Sequence, residues 1–378
     1  MAKLYIVVNE DRFFLSHRKE IAVKAQQEGF DVCIVCKDTG RRADVEALGL
    51  PMIDLPVNPT GLNLWEEMRT LRFLYRLYKS EQPDIVHHVG IKNILWGGLA
   101  ARLAGVPAVV NAVSGLGVLF SGEEPSFMAR MVLRVMRFSN HRNNVSVIFQ
   151  NHEDMDLFLH YHIISEDACV FIKGSGVDLK EFHYTPEPDD KHIQIIFTAR
   201  MVKEKGILVL VKAAEKLRAE MQDHVTFLLC GGLSDNPLAI RKRELQRLCD
   251  GKYIKWLDYR SDVRDLLMQS HIVTLPSYYR EGVPRSLIEA NAIGRPIVTT
   301  DSIGCKDTVD DGKNGFLVPV KDSDALAEKL RILIKTRSLR ILMGLRGREK
   351  AEKEFSITDV VDKHMAVYRQ LSNRIETT

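Results

Sequence analysis

Short apolar runs and amphipathic stretches alternate along the first half of the chain. The apolar runs predict strands, and stretches with apolar residues three and four positions apart predict helices. The predicted strands cover residues 4–8, 32–35, 84–87, 108–112 and 145–149, and the predicted helices cover residues 17–28, 63–81, 93–103 and 126–139. Strands and helices that alternate in this order predict a parallel sheet covered on both faces.

A second series of the same kind follows a polar, proline-rich segment at residues 185–191. Its predicted strands cover residues 193–198, 225–229, 254–256, 272–275 and 297–300, and its predicted helices begin near Gly206, Pro237, Asp262 and Pro284. A polar segment without apolar periodicity is typical of a linker. The sequence therefore predicts an α/β protein with two doubly wound parallel-sheet (Rossmann-like) domains that face each other across a cleft.

The chain length agrees with two domains of ordinary size. We predict an N-terminal domain over residues 1–184, a linker over 185–192 and a C-terminal domain over 193–355. The remaining residues, 356–378, are predicted to form a helix that packs back on the N-terminal domain.

The composition is that of a globular protein, with 45% hydrophobic and 27% charged residues. A net charge of +3 is too small to indicate a nucleic-acid binder. No apolar run reaches the roughly 18 residues that span a membrane, and the N-terminus lacks the basic and apolar regions of a signal peptide. We therefore expect a cytoplasmic location.

Neither the cysteines nor the paired aspartates predict a metal site. Cys33 and Cys36 lie three apart on a predicted strand, where their side chains point to opposite faces, so we expect buried thiols. The two Asp-x-Asp pairs, at residues 154–156 and 322–324, each stand at a predicted helix start, where aspartates serve as caps.

A strand, a loop and a helix in the second domain carry two acids eight residues apart. Glu281 lies on the loop, Pro284 suits the helix start, and Glu289 lies about two turns into the helix. The amides of Gly282 and Val283 stand at the helix N-terminus, which favours a phosphate. A nucleoside diphosphate sugar would use both the amides and the acids. The alternative is that both acids are simply solvated.

Cations and a glycine pair follow two earlier strands of the same domain. Arg200 and Lys205 lie on a loop after the strand at 193–198, and Gly231 and Gly232 follow the strand at 225–229. A guanidinium and an ammonium at the carboxyl end of a strand suit a diphosphate. Alone, the two cations are equally compatible with a solvated loop.

The order and spacing of these segments resemble the retaining glycosyltransferases of the GT-B fold, family 4. The resemblance implies that Glu281 positions the hydroxyls of the donor hexose and that Glu289 binds the ribose. It implies that Arg200 and Lys205 stabilise the leaving diphosphate, helped by backbone amides. It also implies that catalysis needs no metal and no cofactor beyond the UDP-sugar co-substrate. The donor-binding residues implied are Glu289, Gly282, Val283, Pro284, Gly231 and Gly232.

Three segments of the N-terminal half resemble a smaller group of enzymes within this family. Residues 13–18, residues 84–88 with Lys92, and residues 113–117 are similar to bacterial enzymes that extend undecaprenyl-diphosphate-linked sugars, among them N-acetylgalactosaminyltransferases acting on lipid-linked diacetylbacillosamine. The loop at 9–12 departs from the family because it lacks glycines. The resemblance implies a retaining, metal-independent transfer of a hexosamine from a UDP-sugar to a polyprenyl-diphosphate-linked sugar, in surface polysaccharide or glycan biosynthesis.

Such an acceptor needs cations in the N-terminal domain. His17 and Arg18 begin the first predicted helix, and Lys92 follows the strand at 84–87, so all three are predicted at one edge of the sheet. We add Ser114 as an acceptor-binding residue from the resemblance. The alternative is that Arg18 and Lys92 are solvated and His17 is a helix cap.

Two adjacent histidines, His87 and His88, lie on the predicted strand at 84–87 or just after it. Side chains adjacent on a strand point to opposite faces. At most one of them can therefore face the cleft, and the other is expected in the core.

The helix predicted from residue 126 carries arginines at steps of three and four residues and no acid, interleaved with Phe, Met and Val. Such a helix can lie on an anionic membrane surface, or it can pack on the sheet with its arginines solvated. From the first option we expect peripheral association with the inner face of the cytoplasmic membrane. The arginines are Arg130, Arg134, Arg137 and Arg142.

Two other functions remain open. A nucleotide-sugar 2-epimerase has the same two-domain fold but needs acid/base groups at the donor C2 and no lipid surface. A non-catalytic sugar-nucleotide-binding subunit would keep the fold without the phosphate-binding charges, which this sequence retains in Arg200 and Lys205.

Overall fold

The computed structural model describes residues 1–58, 63–116, 127–234 and 239–376. The chain divides into two compact units: unit 1 comprises residues 1–175 and 357–378, and unit 2 comprises residues 176–356. The segment predicted as a linker, 185–192, lies within unit 2, because the boundary falls earlier in the chain.

Unit 1 is built on a parallel sheet of buried Val, Ile and Ala runs. The strands are β1 (Lys3–Glu10), β2 (Asp31–Lys37), β3 (Met52–Asp54), β4 (Ile85–Val89), β5 (Ala108–Val113), β6 (Val145–Phe149) and β7 (Cys169–Phe171). They are arranged in the order β3-β2-β1-β4-β5-β6-β7. The order reverses between β1 and β4, and the carboxyl ends of strands at such a switch point are where open α/β sheets bind ligands.

Helices cover both faces of this sheet. They are α1 (Asp11–His17), α2 (Lys19–Gln27), α3 (Arg42–Glu46), α4 (Leu64–Glu81), α5 (Ile91–Ala104), α6 (Phe127–Asn140) and α7 (His152–His160), joined by the last helix of the chain, α14 (Ile357–Glu376). Apolar residues of α1, α2 and α14 share one core with the sheet, and those of α4, α5, α6 and α7 share a second core on the opposite face. Cys36 lies in the first core and Cys33 in the second, and both are buried free thiols.

The first helix begins earlier than predicted. The prediction of one helix over 17–28 is wrong at its start, because β1 runs directly into α1 at Asp11 and α2 follows after Arg18. Asp11 is fully buried, and its carboxylate accepts hydrogen bonds from the backbone amides of Thr39 at 2.7 Å and Arg41 at 3.0 Å. Burial acts to raise the pKa of Asp11, but the hydrogen bonds from Thr39, Arg41 and Arg12 together outweigh it and lower that pKa.

Unit 2 repeats the plan with a second parallel sheet in the order β10-β9-β8-β11-β12-β13. Its strands are β8 (Ile193–Thr198), β9 (Val225–Cys230), β10 (Ile254–Asp258), β11 (Ile272–Leu275), β12 (Ile297–Thr300) and β13 (Gly315–Val318). Its helices are α8 (Ile207–Met221), α9 (Lys242–Leu248), α10 (Val263–Gln269), α11 (Arg285–Ile293), α12 (Ser323–Lys335) and α13 (Arg337–Glu354). The order of this sheet reverses between β8 and β11. The prediction of two doubly wound parallel sheets is thus confirmed.

The polar segment before β8 is held to unit 2 by two arginines. Arg295, almost fully buried, donates to the carbonyl oxygens of Thr185 at 2.7 Å and Pro186 at 3.2 Å. The guanidinium of Arg340 forms a two-pronged pair with the Glu187 carboxylate, with both N–O distances 2.7 Å. A buried, bidentate ion pair of this kind fixes geometry as well as charge.

Candidate functional site

Lys205 and Glu281 meet at the switch point of the unit 2 sheet. Lys205 lies in a single 3-10 turn after β8, and Glu281 lies on the loop between β11 and α11. The Lys205 Nζ donates to Glu281 Oε1 at 2.5 Å, and both side chains are largely buried. The residues that sequence analysis assigned to catalysis therefore include a close ion pair at the position where this fold class binds ligands.

Ser277 forms a hydrogen bond with the Glu281 carboxylate. Its hydroxyl donates to Glu281 Oε1 at 3.0 Å and accepts a hydrogen bond from the Tyr279 amide at 3.2 Å. The Tyr278 amide donates to the carbonyl oxygen of Glu204 at 2.9 Å, so the loop after β11 is tied to the turn that carries Lys205. Ser277 is fully buried and was missed by sequence analysis, because a serine at a strand end gives no local sign of its partner.

The loop after β12 packs against the same backbone. Ser302 Oγ donates to the Ser277 carbonyl oxygen at 2.9 Å. Gly304 has φ +81°, and a Cβ at this position would lie 1.8 Å from the Gly282 carbonyl oxygen and 2.8 Å from that of Glu281. Only glycine fits so close to a neighbouring backbone. Cys305, next in sequence, is buried, and burial with the nearby Glu281 charge raises the pKa of its thiol to about 11.

The predicted glycine pair brings the loop after β9 against the loop that carries Arg200. A Cβ on Gly231 would lie 1.8 Å from the Ala199 carbonyl oxygen. The Met201 amide donates to the Gly232 carbonyl oxygen at 3.1 Å. The Trp256 ring N–H donates to the Gly231 carbonyl oxygen at 2.9 Å. The glycines thus shape the loop, and their role in binding a donor stays a prediction.

Arg200 is exposed, whereas the neighbouring Tyr279 is mostly buried. Burial raises the pKa of Tyr279, the Glu281 charge adds to the rise, and the positive charge of Arg200 opposes it. The Lys205 Nζ lies 5.7 Å from the centre of the same ring. Arg200, Lys205, Tyr279 and Glu281 therefore influence one another electrostatically.

Glu289 is paired with an arginine of its own helix. Arg285 Nε donates to Glu289 Oε1 at 2.7 Å, one helical turn away. Burial raises the pKa of Glu289, and the Arg285 charge and hydrogen bond act in the opposite direction. Pro284 is the N-cap of α11, directly before the first helical residue, so the helix begins where the sequence predicts. Gly282, Val283 and Pro284 are all buried at the start of α11.

Two of the predicted acceptor residues, His17 and Arg18, lie at the junction between α1 and α2. His17 ends α1, with its ring stacked on Phe13 at 4.3 Å and its Nδ1 2.6 Å from Ser16 Oγ. Arg18 is only 2% exposed. The assignment of His17 to a helix N-terminus is therefore wrong, because α1 runs from Asp11 to His17, whereas Arg18 does precede a helix as the N-cap of α2.

Arg18 lies among residues of β4 and α14. Its charge lowers the pKa of His87 and of His364, in each case adding to the larger effect of burial. His87 Nδ1 lies 2.6 Å from the Tyr368 hydroxyl oxygen, and the His87 and His364 rings are 5.7 Å apart. Arg18 is thus placed within the core of unit 1 and is not solvated.

His88 lies in the opposite core. Its Nε2 is 2.9 Å from the Tyr78 hydroxyl oxygen and its Nδ1 is 2.9 Å from Asn111 Oδ1. Burial lowers the pKa of His88 to about 4. His87 and His88 point to opposite faces as predicted, and both are fully buried.

Lys92 and Ser114 lie at the switch point of the unit 1 sheet. The Lys92 Nζ donates to Glu67 Oε1 at 2.6 Å and to the Asn58 carbonyl oxygen at 2.8 Å. Ser114 Oγ stands 4.0 Å from where a Cβ on Gly90 would lie.

Two asparagines join the end of β1 to the first turn of α5 at the same switch point. The Asn93 side-chain amide donates to Asn9 Oδ1 at 2.9 Å and to the Val89 carbonyl oxygen at 2.8 Å. Sequence analysis missed both asparagines, although their positions at the carboxyl end of β1 and in the first turn of α5 could have identified them.

The paired aspartates stand at helix starts, as predicted. Asp322 is the N-cap of α12 and accepts from the amides of Asp324 and Ala325, both at 2.9 Å. Asp154 lies in the first turn of α7, whose N-cap is Asn151. Within the described ranges, no group of three or more His, Cys, Asp or Glu side chains could hold a metal ion. Metal independence of the reaction stays a prediction.

Two protein-family models match the chain. The model described as "Glycosyl transferase 4-like" matches residues 3–151, and the model described as "Glycosyl transferases group 1" matches residues 192–336. Together they cover more than three quarters of the chain, one in each unit.

Curated relatives match over most of their length. The chain is 25% identical over 341 residues to the N,N'-diacetylbacillosaminyl-diphospho-undecaprenol alpha-1,3-N-acetylgalactosaminyltransferase of Campylobacter jejuni, covering 87% of this chain and 88% of the relative. It is 26% identical over 353 residues to the UDP-Gal:alpha-D-GlcNAc-diphosphoundecaprenol alpha-1,3-galactosyltransferase of Escherichia coli, covering 90% and 89%.

A solved structure shares the fold along the whole chain. The Anabaena protein HepE, in complex with UDP-glucose, superposes with a TM-score of 0.76 at 18% identity, covering 99% of this chain and 100% of that one. The two Rossmann-like units, the two matching family models and these relatives all indicate a glycosyltransferase. The chain is a glycosyltransferase with the GT-B fold, whose unit 1 matches the glycosyl transferase 4-like model and whose unit 2 matches the glycosyl transferases group 1 model.

Proposed function

We propose that this glycosyltransferase moves an N-acetylated hexosamine from a UDP-sugar to a polyprenyl-diphosphate-linked sugar, with retention and without a metal. The names of the two relatives support a lipid-linked acceptor, because both act on undecaprenyl-diphosphate sugars. A UDP-sugar donor is supported by the Escherichia coli relative, which uses UDP-Gal, and by HepE, which binds UDP-glucose. The hexosamine is supported by the Campylobacter jejuni relative.

The ion pair between Lys205 and Glu281 is the observation on which the donor site rests. It stands at the β8/β11 switch point, with Arg200 earlier on the same loop as Lys205 and the buried start of α11 beside it. When the sugar–phosphate bond breaks, negative charge develops on the leaving UDP. In this proposal Lys205 and Arg200 would stabilise that charge, and the amides at the start of α11 would add a preorganised positive end. Glu281 would then orient the donor hexose.

Glu289 is proposed to bind the ribose. Its Arg285 partner occupies Oε1. A carboxylate has two oxygens that can each accept hydrogen bonds, so a ribose hydroxyl can bind while Arg285 opposes the rise in the pKa of Glu289 that burial causes.

The acceptor is proposed to bind at the β1/β4 switch point of unit 1. Ser114, Asn9 and Asn93 bring hydroxyl and amide groups together there, which suits sugar hydroxyls. Lys92 supplies a positive charge at the start of α5, where it is already paired with Glu67. The burial of Arg18 argues against direct contact with the acceptor and favours a supporting role.

Product analysis with radiolabelled UDP-sugars tests the proposal. The purified chain is incubated with UDP-N-acetylhexosamines and UDP-hexoses, each with a set of polyprenyl-diphosphate sugars. Label moving to the organic phase supports transfer, and the anomeric coupling constant of the product decides between retention and inversion. Label recovered as epimerised nucleotide sugar would instead indicate a 2-epimerase, and unchanged UDP-sugar would indicate a binding subunit.

A further inference from the structure

Helices α4, α5 and α6 form one layer on one face of the unit 1 sheet. Their inward residues share a core that includes Leu74, Ile94 and Leu133, one from each helix. α5 packs against both of the others, so α4 and α6 flank it. The outward sides of the two flanking helices therefore lie on the same surface of unit 1.

That surface exposes large apolar side chains on both flanking helices. Trp65 is 84% exposed, Phe127 81%, Met128 68% and Leu64 67%. Single exposed apolar residues are ordinary, but a group of them on one layer marks an interaction site. We define the α4–α6 face by its exposed apolar residues: Leu64, Trp65 and Met68 on α4, and Phe127, Met128, Met131 and Phe138 on α6.

The charge of the α4–α6 face is positive. The described helix α6 contains no acid and exposes Arg130, Arg134 and Arg137. α4 exposes Arg69, Arg72 and Arg76. Of the two acids in the first turn of α4, Glu67 is buried against Lys92, and Glu66 accepts a hydrogen bond from the Asn58 side chain at 3.0 Å. Exposed arginines beside apolar and aromatic residues complement anionic headgroups above an acyl layer.

The most exposed apolar residues cluster at one edge of unit 1. Helices that connect parallel strands run antiparallel to them, so the first turns of α4 and α6 lie at the carboxyl edge of the sheet. Leu64 and Trp65 are in the first turn of α4, and Phe127 and Met128 in that of α6. The β1/β4 switch point with Ser114 lies at this same edge. Tryptophan is enriched where membrane and water meet.

We propose that the α4–α6 face docks unit 1 on an anionic lipid bilayer, with Trp65 and Phe127 entering the headgroup region on either side of α5. The proposal rests on the proposed function, because a polyprenyl-linked acceptor lies in a membrane. No helix in the described part of the chain is long and apolar enough to cross a bilayer. Peripheral docking would bring the acceptor edge of unit 1 to the lipid surface.

Co-sedimentation of the full-length chain with sucrose-loaded vesicles tests the docking. One set of vesicles contains equal parts phosphatidylcholine and phosphatidylglycerol, and the other contains phosphatidylcholine alone. We expect Trp65→Ala/Phe127→Ala, and separately Arg130→Glu/Arg134→Glu, to lower binding to the anionic vesicles by about tenfold or more. Wild-type binding should fall with added salt and should be weaker on the neutral vesicles.

Matched control variants come from α13 of unit 2. Leu342→Ala removes an exposed apolar side chain and Arg346→Glu reverses an exposed arginine, both on a helix outside the α4–α6 face. These variants should bind anionic vesicles like the wild type. UDP binding by calorimetry and the thermal unfolding midpoint confirm that each variant is folded.

The docking and the proposed function can fail independently. Transfer to a short-chain, water-soluble polyprenyl-diphosphate sugar should survive in all four variants, while transfer to the acceptor in vesicles should fall only in the α4–α6 variants. Unchanged vesicle binding in both α4–α6 variants, or equal losses in the α13 controls, would overturn the docking. Self-association that is lost in Trp65→Ala/Phe127→Ala, without vesicle binding by the wild type, would assign the face to a second copy and also overturn it.

Discussion

Lys205 Nζ lies 2.5 Å from Glu281 Oε1, although the two residues are 76 positions apart in the chain. The contact joins the loops after β8 and β11, which are neighbours in the sheet only because the strand order reverses there. The cation proposed to stabilise a leaving diphosphate is thus paired with the carboxylate proposed to orient the sugar. When a donor binds, its phosphate oxygens would compete with Glu281 for the same ammonium.

Replacing the cations of this site should impair turnover. Lys205→Ala and Arg200→Ala should each lower kcat by about a hundredfold or more, because each removes charge stabilisation at the leaving group. Steady-state kinetics with the identified donor measures the effect. Lys212→Ala, which removes an exposed lysine of α8, is the matched control. Near wild-type kcat in both site variants would remove these residues from catalysis.

Removing Arg285 should make UDP binding depend on pH. The charged groups that act on Glu289 are Arg285, which lowers its pKa, and Glu181, which raises it. In Arg285→Met the already raised pKa of Glu289 should rise further, so the acid is neutral over a wider range and UDP affinity should fall as the pH is lowered. Calorimetry with UDP across the neutral and mildly acidic range measures this.

Two further variants separate a positioning role of Arg285 from a structural one. Arg285→Lys keeps the charge and should restore most of the binding at low pH. Arg285→Met/Glu289→Gln cannot titrate at position 289, so its UDP affinity should be weak and should depend on pH no more than that of the wild type. A pH dependence in the double variant equal to that of Arg285→Met would show that another group is responsible.

Chelation should leave transfer unaffected if Lys205 and Arg200 do the work of a metal. Activity is measured in excess EDTA and again after addition of Mg²⁺ or Mn²⁺. Complete loss in EDTA with recovery on adding metal would contradict the metal-independent proposal.

The strands of unit 2 show how much the sequence alone can predict. β8, β11 and β12 have the bounds predicted, because buried parallel strands are short, continuous apolar runs with clear turn residues on either side. The strand–loop–helix order also placed Glu281, Arg200 and Lys205 at one sheet edge before any contact was known. These features depend on local pattern and on the general topology of parallel sheets.

The surroundings of charged residues could not be predicted in the same way. Arg18 and Lys92 look in sequence like solvated cations, yet Arg18 lies beside His364 of the last helix and Lys92 is paired with Glu67. Asp11 resembles a loop residue but caps backbone amides near Thr39. Each partner is distant in sequence, and no local signal identifies it.

The Lys92–Glu67 pair allows stability and acceptor binding to be separated. Both side chains are mostly buried, so Lys92→Met should destabilise unit 1 by about 2–4 kcal/mol by leaving the Glu67 carboxylate without its cation. Glu67→Gln/Lys92→Met removes both charges and should regain most of that stability. If Lys92 also binds the acceptor diphosphate, the double variant should still show a raised acceptor KM.

Slow hydrolysis of the UDP-sugar by water serves as the internal control, because it uses unit 2 alone. It should be unchanged in the double variant. An acceptor KM restored together with stability would assign Lys92 a structural role only, and Ser114→Ala would then carry the test of the acceptor site.

The buried histidines should make unit 1 less stable in mild acid. Burial lowers the pKa of His364 to about 3, while an unfolded histidine titrates near 6.5. Between these values the unfolded chain binds one more proton at this residue, so the free energy of unfolding should fall as the pH falls, by up to about 1.4 kcal/mol per pH unit. The urea unfolding midpoint of His364→Leu should depend less steeply on pH than that of the wild type, because this proton is no longer taken up on unfolding. His141→Gln, at an exposed histidine of the same unit, should leave the pH profile unchanged. Parallel profiles for His364→Leu and the wild type would show that His364 is not held neutral by the packing of α14 on the sheet.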